Sequence, residues 1–403
     1  MFCKITKKKI KPFMSFGKMP IANGFLKSKN FKKEFFFNME VGFSKDLSLF
    51  QLNDHPKPKM MFNNNYPFFT GSSKIMVSHF KNYADWIKKK IIKNKINKKK
   101  INLIEIGSND GTFLKNFKNH KFNILGIEPS TNVAKISKKL KINTKNIFFS
   151  YKNSKKFKNF KKKTDIICAA NVICHIPDLI DLIKGVDNLL DKKGLFIFEE
   201  PYLGSMYKKV SYDQIYDEHI YMFSVNSIKK IFSLYGFDLI NAIPQITHGG
   251  SMRYIVGRKN EHEIDKNIPK LLLQEKKNNI DSFKGCIDFK KKCENSKKKL
   301  KKTIKNLLAK GKSIAGYAAT SKSTTILNYC GINKKHINYI CDTTPNKIGL
   351  YTPGTHIPIV SVDYFRKHIC DYTFLFAWNH KKEIFNKEKK FLKKTKWFAH
   401  IKL

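Results

Sequence analysis

The chain has 403 residues, 41% of them hydrophobic and 13% aromatic, enough apolar material for two or three cores, which excludes a disordered protein. Its formal charge of +48 invites a nucleic-acid reading, yet only Arg253, Arg258 and Arg366 are arginines and the remaining cations are lysines spread over every segment. Nucleic-acid readers depend on arginine forks, exposed lysine fields are screened beyond about 8 Å at physiological salt, and no apolar run reaches the roughly 18–20 residues of a membrane span, so neither nucleic acid nor membrane is the expected partner.

In chain order, the lysine-rich start has no apolar stretch behind its charges, so it does not read as a secretory signal and a cytoplasmic location is expected. Residues 1–70 are short apolar pieces broken by Gly, Pro and Asn, the pattern of a small lobe. Ile75, Val77, Phe80, Tyr83, Trp86, Ile87 and Ile91 recur at helical spacing and predict a helix over 72 to about 96. From 101 the pattern alternates. Strands are predicted at 101–106, 122–127, 146–150, 165–170 and 194–199, and helices at 111–118, 130–140 and 178–191. Such alternation is that of an α/β fold with a doubly wound parallel sheet, here spanning 71–258. The lysine-rich stretch 259–310 reads as one or two connecting helices. A second, smaller α/β unit follows over 311–403. The eight cysteines form no Cys-x-x-Cys pair and read as free thiols.

The chemistry concentrates where predicted strands end. Glu105-Ile-Gly107-Ser108-Asn109-Asp110-Gly111 closes the first strand of the main sheet, with two glycines that let backbone approach a ligand. Glu128 closes the second strand, about 20 residues beyond Gly107, where an acid can accept from ribose hydroxyls. Gly-x-Gly-x-x-Gly is missing, so a diphosphate has no cradle, and an adenosine cofactor without phosphates, S-adenosylmethionine, fits better. Asn171 to His175 follows the fourth strand. Glu199-Glu200 follows the fifth and leads to Tyr216-Asp217-Glu218-His219, a phenol, carboxylates and an imidazole able to move protons near neutrality. His248-Gly249-Gly250-Ser251-Met252-Arg253 reads either as a ligand loop whose Arg253 grips phosphate or as a plain hairpin turn. Tyr317 to Ser321-Lys322 leads into a helix start that can bind an anion or is merely well capped.

Taken together, Glu105 to Thr112, Gly126-Ile-Glu128-Pro-Ser, Asn171 to His175, Tyr216-Asp-Glu218-His219, His248-Gly-Gly-Ser-x-Arg253, Gly316-Tyr-x-Ala-x-Ser-Lys322 and Asp342-Thr-Thr-Pro-x-Lys347 resemble, in that order, the sugar C-methyltransferases of deoxysugar biosynthesis. The resemblance covers nearly the whole chain. It implies a zinc-binding N-terminal lobe, a Rossmann-like class I methyltransferase domain and a C-terminal Rossmann-like domain, acting on a nucleotide-linked 4-keto-deoxysugar. Carried over by motif, it implies that Tyr216, Glu218, His219 and His175 form the catalytic group. Gly107, Ser108, Asn109, Asp110, Gly111, Glu128 and Asn171 would hold S-adenosylmethionine, with Tyr66 closing over the site. His248, Gly250, Ser251, Arg253, Tyr317, Ser321 and Lys322 would meet the nucleotide sugar. The family's zinc pairs align with Cys3, Thr6, Ser44 and Leu47, and one thiolate cannot complete a tetrahedral zinc site, so no metal is expected. O- or N-methylation of a sugar, using the same cofactor turn, stays open at this stage, as does a non-catalytic nucleotide-sugar or nucleic-acid binder.

Overall fold

The computed structural model describes residues 1–64, 66–92, 100–119 and 121–403. The N-terminal lobe is an antiparallel meander, β1 (Lys11–Pro20), β2 (Phe36–Ser44) and β3 (Leu49–Leu52). Phe13, Phe16, Val41 and Phe50 bury one face, and each such side chain contributes about 1.5–3 kcal/mol when removed from water. They share one core cluster with Phe289, Ile326 and Ile340 from far along the chain, so the lobe is welded to the C-terminal region.

The central sheet contains β4 (Ile101–Ile106), β5 (Phe122–Ile127), β6 (Thr144–Lys145), β7 (Thr164–Ala170) and β8 (Leu190–Pro201). A short β9 (Tyr221–Met222) leaves it to pair with β3 of the lobe. The hairpin β10 (Phe237–Gln245) and β11 (Ser251–Arg258) completes it. The order is β10-β11-β8-β7-β4-β5-β6, with β4 to β8 parallel and β11 antiparallel to both neighbours. Leu103, Ile104, Ile106, Ile166 and Ile167 are all buried, as a sheet covered on both faces requires. Strand order reverses between β4 and β7, which opens a crevice at their carboxyl ends.

Two helices, Asn267–Lys277 and Phe283–Ala309, lead to a second sheet. It holds β12 (Ile314–Tyr317), β13 (Ile340–Asp342), β14 (Ile359–Ser361), β15 (Tyr372–Leu375) and β16 (Lys396–Phe398), all parallel, in the order β14-β13-β12-β15-β16. Its own reversal lies between β12 and β15. All eight cysteines are buried free thiols. Among the described residues, no helix is long and apolar enough to cross a membrane.

Two predicted elements differ. The helix expected at 111–118 is a short 3-10 turn, Leu114–Phe117, which follows the left-handed Gly111 and buries Phe113, Leu114 and Phe117 in the core. No strand runs over 146–150: the Asn146 side chain donates to the Glu128 and Pro129 carbonyls, 2.8 and 2.9 Å away, and turns the chain off the sheet edge after Lys145. The predicted helix over 72–96 is Lys74–Trp86 with a π-type turn at Ile87–Ile92, whereas 93–96, the Ile91 side chain and Asn65 lie outside the described residues.

Candidate active site

Both crevices open into one cavity of about 1390 Å³. That exceeds the ~300–1,000 Å³ usual for a pocket holding one small ligand. On the β4 side, Gly107 sits at φ 71°, and a methyl group there would overlap Val172, so this turn brings backbone to the cavity wall. Glu128 accepts from the backbone N–H groups of Asn109 (2.9 Å) and Ser130 (2.7 Å). These bonds offset part of the burial that raises its carboxyl above the usual range. Each carboxylate oxygen keeps a lone pair for a hydroxyl. Ser108, Asn109 and Asn171 also line the wall, with the rings of Phe62, Tyr66 and Phe148.

A segment from the lobe's end is strapped across this turn. Asn109 accepts from the Thr70 N–H at 3.0 Å, Asp110 from the Gly71 N–H at 2.7 Å, and Asn132 donates to the Tyr66 carbonyl at 2.8 Å. Asp110 therefore holds the strap, and Gly111, at φ 80°, shapes the turn; neither faces the cavity.

The loop at 212–219 stands opposite. The Nδ1 of His219 lies 2.7 Å from the Gln214 carbonyl and its Nε2 lies 2.7 Å from the Tyr216 hydroxyl. A carbonyl only accepts, so Nδ1 carries the proton. Burial first, and the neighbouring His175 second, push the imidazole well below its ordinary value. It is therefore neutral, and its Nε2 lone pair receives the Tyr216 proton. His175 stacks on it at 5.3 Å, is pushed down to about 3 by burial, and has an Nε2 with no hydrogen-bond partner among the described residues. Its loop is held by Glu200, which accepts from the N–H groups of Val172 (3.0 Å) and Ile173 (2.6 Å) and is raised to about 7 by burial. Glu218 and Asp217 are buried side by side, and burial raises both carboxyls.

The second sheet repeats the first sheet's geometry. Ala318 follows β12 at φ 74°, as Gly107 follows β4 at 71°. Asp342 ends β13 and accepts from the N–H groups of Ala319 and Thr344, both at 2.8 Å, as Glu128 does from Asn109 and Ser130. A non-glycine residue held left-handed costs about 1–2 kcal/mol, and such strain collects at functional sites. Ser321 and Lys322 open the following helix at the cavity wall, where the Lys322 ammonium donates to Asn379 at 3.1 Å and lies over the Trp378 ring. His248 faces this side, with an unpartnered Nε2 among the described residues and a pKa lowered to about 3 by burial.

Several expected substrate contacts are elsewhere. Arg253 is 5% exposed and faces Glu199 across the β11–β8 register, with its Nε 2.7 Å from that carboxylate. Its guanidinium lies against Tyr83 and Trp86. Burial works to raise Glu199, but His79 at 2.6 Å and Arg253 overcome it and hold the carboxyl below its usual range. The arginine thus neutralises a buried acid and does not line the cavity. Gly250 packs against Ser205, and the Ser251 hydroxyl donates to Thr247, so both serve the hairpin. Tyr317 touches the cavity wall, but its hydroxyl donates to Glu388 at 2.9 Å and its ring packs on Phe365 and Trp397. Conversely, Asn23, Glu105 and Phe62 line the cavity without having been given a role from the sequence. Glu105 carried a signal, as the acid that opens the glycine turn. In the lobe, Cys3 accepts from the Thr6 N–H at 3.4 Å.

Comparison with known proteins follows the same division. Family models match residues 2–62 ("Putative zinc binding domain"), 78–242 ("Methyltransferase domain") and 246–401 ("C-methyltransferase C-terminal domain"). The C-methyltransferase NovU of Streptomyces niveus is 27% identical over 94% of this chain and 90% of its own. A solved S-adenosylmethionine-dependent methyltransferase from Clostridium acetobutylicum is 16% identical over 45% of this chain and 92% of its own, with a TM-score of 0.35. The CurJ carbon methyltransferase is 15% identical over 51% of this chain and 62% of its own, with a TM-score of 0.38. With all three family regions matched in order, on a chain whose main sheet runs β10-β11-β8-β7-β4-β5-β6, the protein belongs to the S-adenosylmethionine-dependent C-methyltransferases.

Proposed function

We propose that the protein methylates a carbon next to the ketone of a nucleotide-linked keto-deoxysugar. The observation that carries this reading is the pair of matched strand–turn–acid half-sites, ending in Glu128 and Asp342, which face one cavity with a neutral histidine–tyrosine pair between them. The first half-site suits S-adenosylmethionine: Gly107 admits the cofactor to the backbone, Glu128 takes its ribose hydroxyls, and Phe62 and Tyr66 shield the reacting end. The second suits the nucleotide of the sugar, with Lys322 and the helix start at Ser321 toward its phosphates.

When bound, S-adenosylmethionine supplies a methyl group on a positively charged sulfur. The sugar supplies the carbon nucleophile, and this chain's residues generate it by moving one proton. The Nε2 lone pair of His219 draws on the Tyr216 hydroxyl, which takes the proton from the sugar carbon. The C–H electrons pass into the adjacent carbonyl, and His175 donates to the resulting enolate oxygen. Glu218 holds the loop at the cavity wall. The two half-sites would hold acceptor and donor together in one cavity, which would remove much of the entropic barrier. The lobe keeps its shape through its apolar face and needs no zinc.

The test is His219→Asn. It is expected to retain S-adenosylmethionine binding while losing both turnover and solvent exchange of the sugar proton. Undiminished exchange in that variant would reject His219 as the proton acceptor.

A further inference from the structure

The lobe reaches the catalytic loop by one short turn. Beyond β1, the Gly24 N–H closes on the Ile21 carbonyl at 2.9 Å. The Ala22 N–H inside that turn donates to both oxygens of Asp217, each at 3.2 Å, and the Ala22 carbonyl accepts from the Thr324 hydroxyl at 2.8 Å. The turn is therefore wedged between the loop at 212–219 and the helix Ser321–Cys330. The next residue, Asn23, lines the cavity, and its side-chain amide donates to Glu218 Oε1 at 2.6 Å.

We propose that Asn23 is a positioning residue of the methyl-transfer site, contributed by the N-terminal lobe, whose side-chain amide holds the Glu218 carboxylate at the cavity wall. An amide N–H₂ group only donates, and a carboxylate accepts best when ionised, so the short bond favours the charged form. Burial opposes that form, and the bonds from Asn23 and Tyr66 counter it. The other groups facing Glu218 are themselves acids that its charge pushes up: Asp217 and Tyr216 from its own loop, Tyr66 from the strap and Cys174 from the loop after β7. Asn23 is thus a neutral donor in a neighbourhood of acids. The lobe acts as a structural part of the active site, and its loss of zinc ligands is compatible with keeping this turn. The inference rests on Glu218 belonging to the catalytic loop.

The experiment follows the Glu218 carboxyl by carbon-13 NMR of glutamate-labelled full-length protein, with Glu218→Gln to assign its signal. Asn23→Ala is expected to move the Glu218 midpoint to higher pH and to lower kcat at least about tenfold, the worth of a charge-assisted bond. S-adenosylmethionine affinity stays as in the wild type, and the melting temperature falls only by the few degrees that one lost buried bond costs. In Asn23→Asp the two acids share one proton, and the protonated Asp side chain replaces the amide donor. Its kcat is expected to approach the wild type at low pH and to fall as pH rises and both acids ionise. An Asn23→Ala midpoint equal to the wild type overturns the proposal. So does a loss of melting temperature and cofactor affinity in both variants, which marks a merely structural turn. The titration needs no sugar, so a wild-type enzyme inert toward the keto-sugar counts against the substrate reading alone.

Discussion

Tyr216 donates its hydroxyl proton to Nε2 of His219 at 2.7 Å, while the opposite ring nitrogen is pinned on the Gln214 carbonyl. The two bonds select one tautomer, and burial keeps the ring neutral. Proton uptake by His219 is therefore coupled to the phenol. Tyr216→Phe breaks that coupling without changing the ring stack or the Gln214 bond. Its kcat is expected to fall by about 10²–10⁴-fold, the usual worth of a positioned proton-transfer group, with calorimetric affinity for S-adenosylmethionine unchanged. A variant with wild-type kcat would remove Tyr216 from the proton path.

Arg253 balances Glu199 inside the sheet and stands away from the cavity. Arg253→Lys loses the fork that reaches Glu199 and the flat contact with Tyr83. Stability is expected to drop by about 1–3 kcal/mol in denaturant titration, while KM for the sugar nucleotide stays put. A raised KM with normal stability would return Arg253 to the substrate site.

Gly107→Ala tests the cofactor turn. The left-handed backbone costs about 1–2 kcal/mol for any other residue, and the added methyl overlaps Val172, so the Asn171–His175 loop must shift. Calorimetry is expected to show at least about a tenfold loss of S-adenosylmethionine affinity. An unaltered Kd would place the cofactor elsewhere.

Glu200 gives a pH signature. Its carboxyl is raised from 4.5 to about 7 in the folded protein, so between those values the folded state binds a proton that the unfolded chain has lost. Its contribution is present at low pH and declines as pH rises through about 7. Glu200→Gln keeps the acceptor for Val172 and Ile173 and cannot ionise. The variant is expected to gain on the wild type between pH 5 and pH 7, by at most about 3 kcal/mol. Parallel stability curves would show that Glu200 is ionised throughout.

The strand-end motifs were legible because their residue types announce a backbone need or a charge: Gly107 marks a close approach, Glu128 an acid at a strand tip, and Tyr216 to His219 a cluster of proton carriers. Arg253 beside two glycines reads as a phosphate grip, but residue type carries no register, and only the pairing of β11 with β8 shows its partner. The second half-site was legible only at its helix start, Ser321-Lys322, since the left-handed Ala318 carries no glycine to mark the turn. Asn23 lies far from Glu218 in sequence, and nothing local to either residue records their contact. The strand expected at 146–150 failed because two side-chain hydrogen bonds from Asn146 outweigh the β preference of Ile147 to Phe149.

The most direct test incubates the wild-type enzyme with methyl-carbon-13 S-adenosylmethionine and a nucleotide-linked 4-keto-deoxysugar, followed by carbon NMR. The labelled methyl is expected in the aliphatic region, correlated with the ring carbon beside the ketone. A methyl resonance in the methoxy region, or label that never leaves sulfur, would contradict carbon methylation through an enolate.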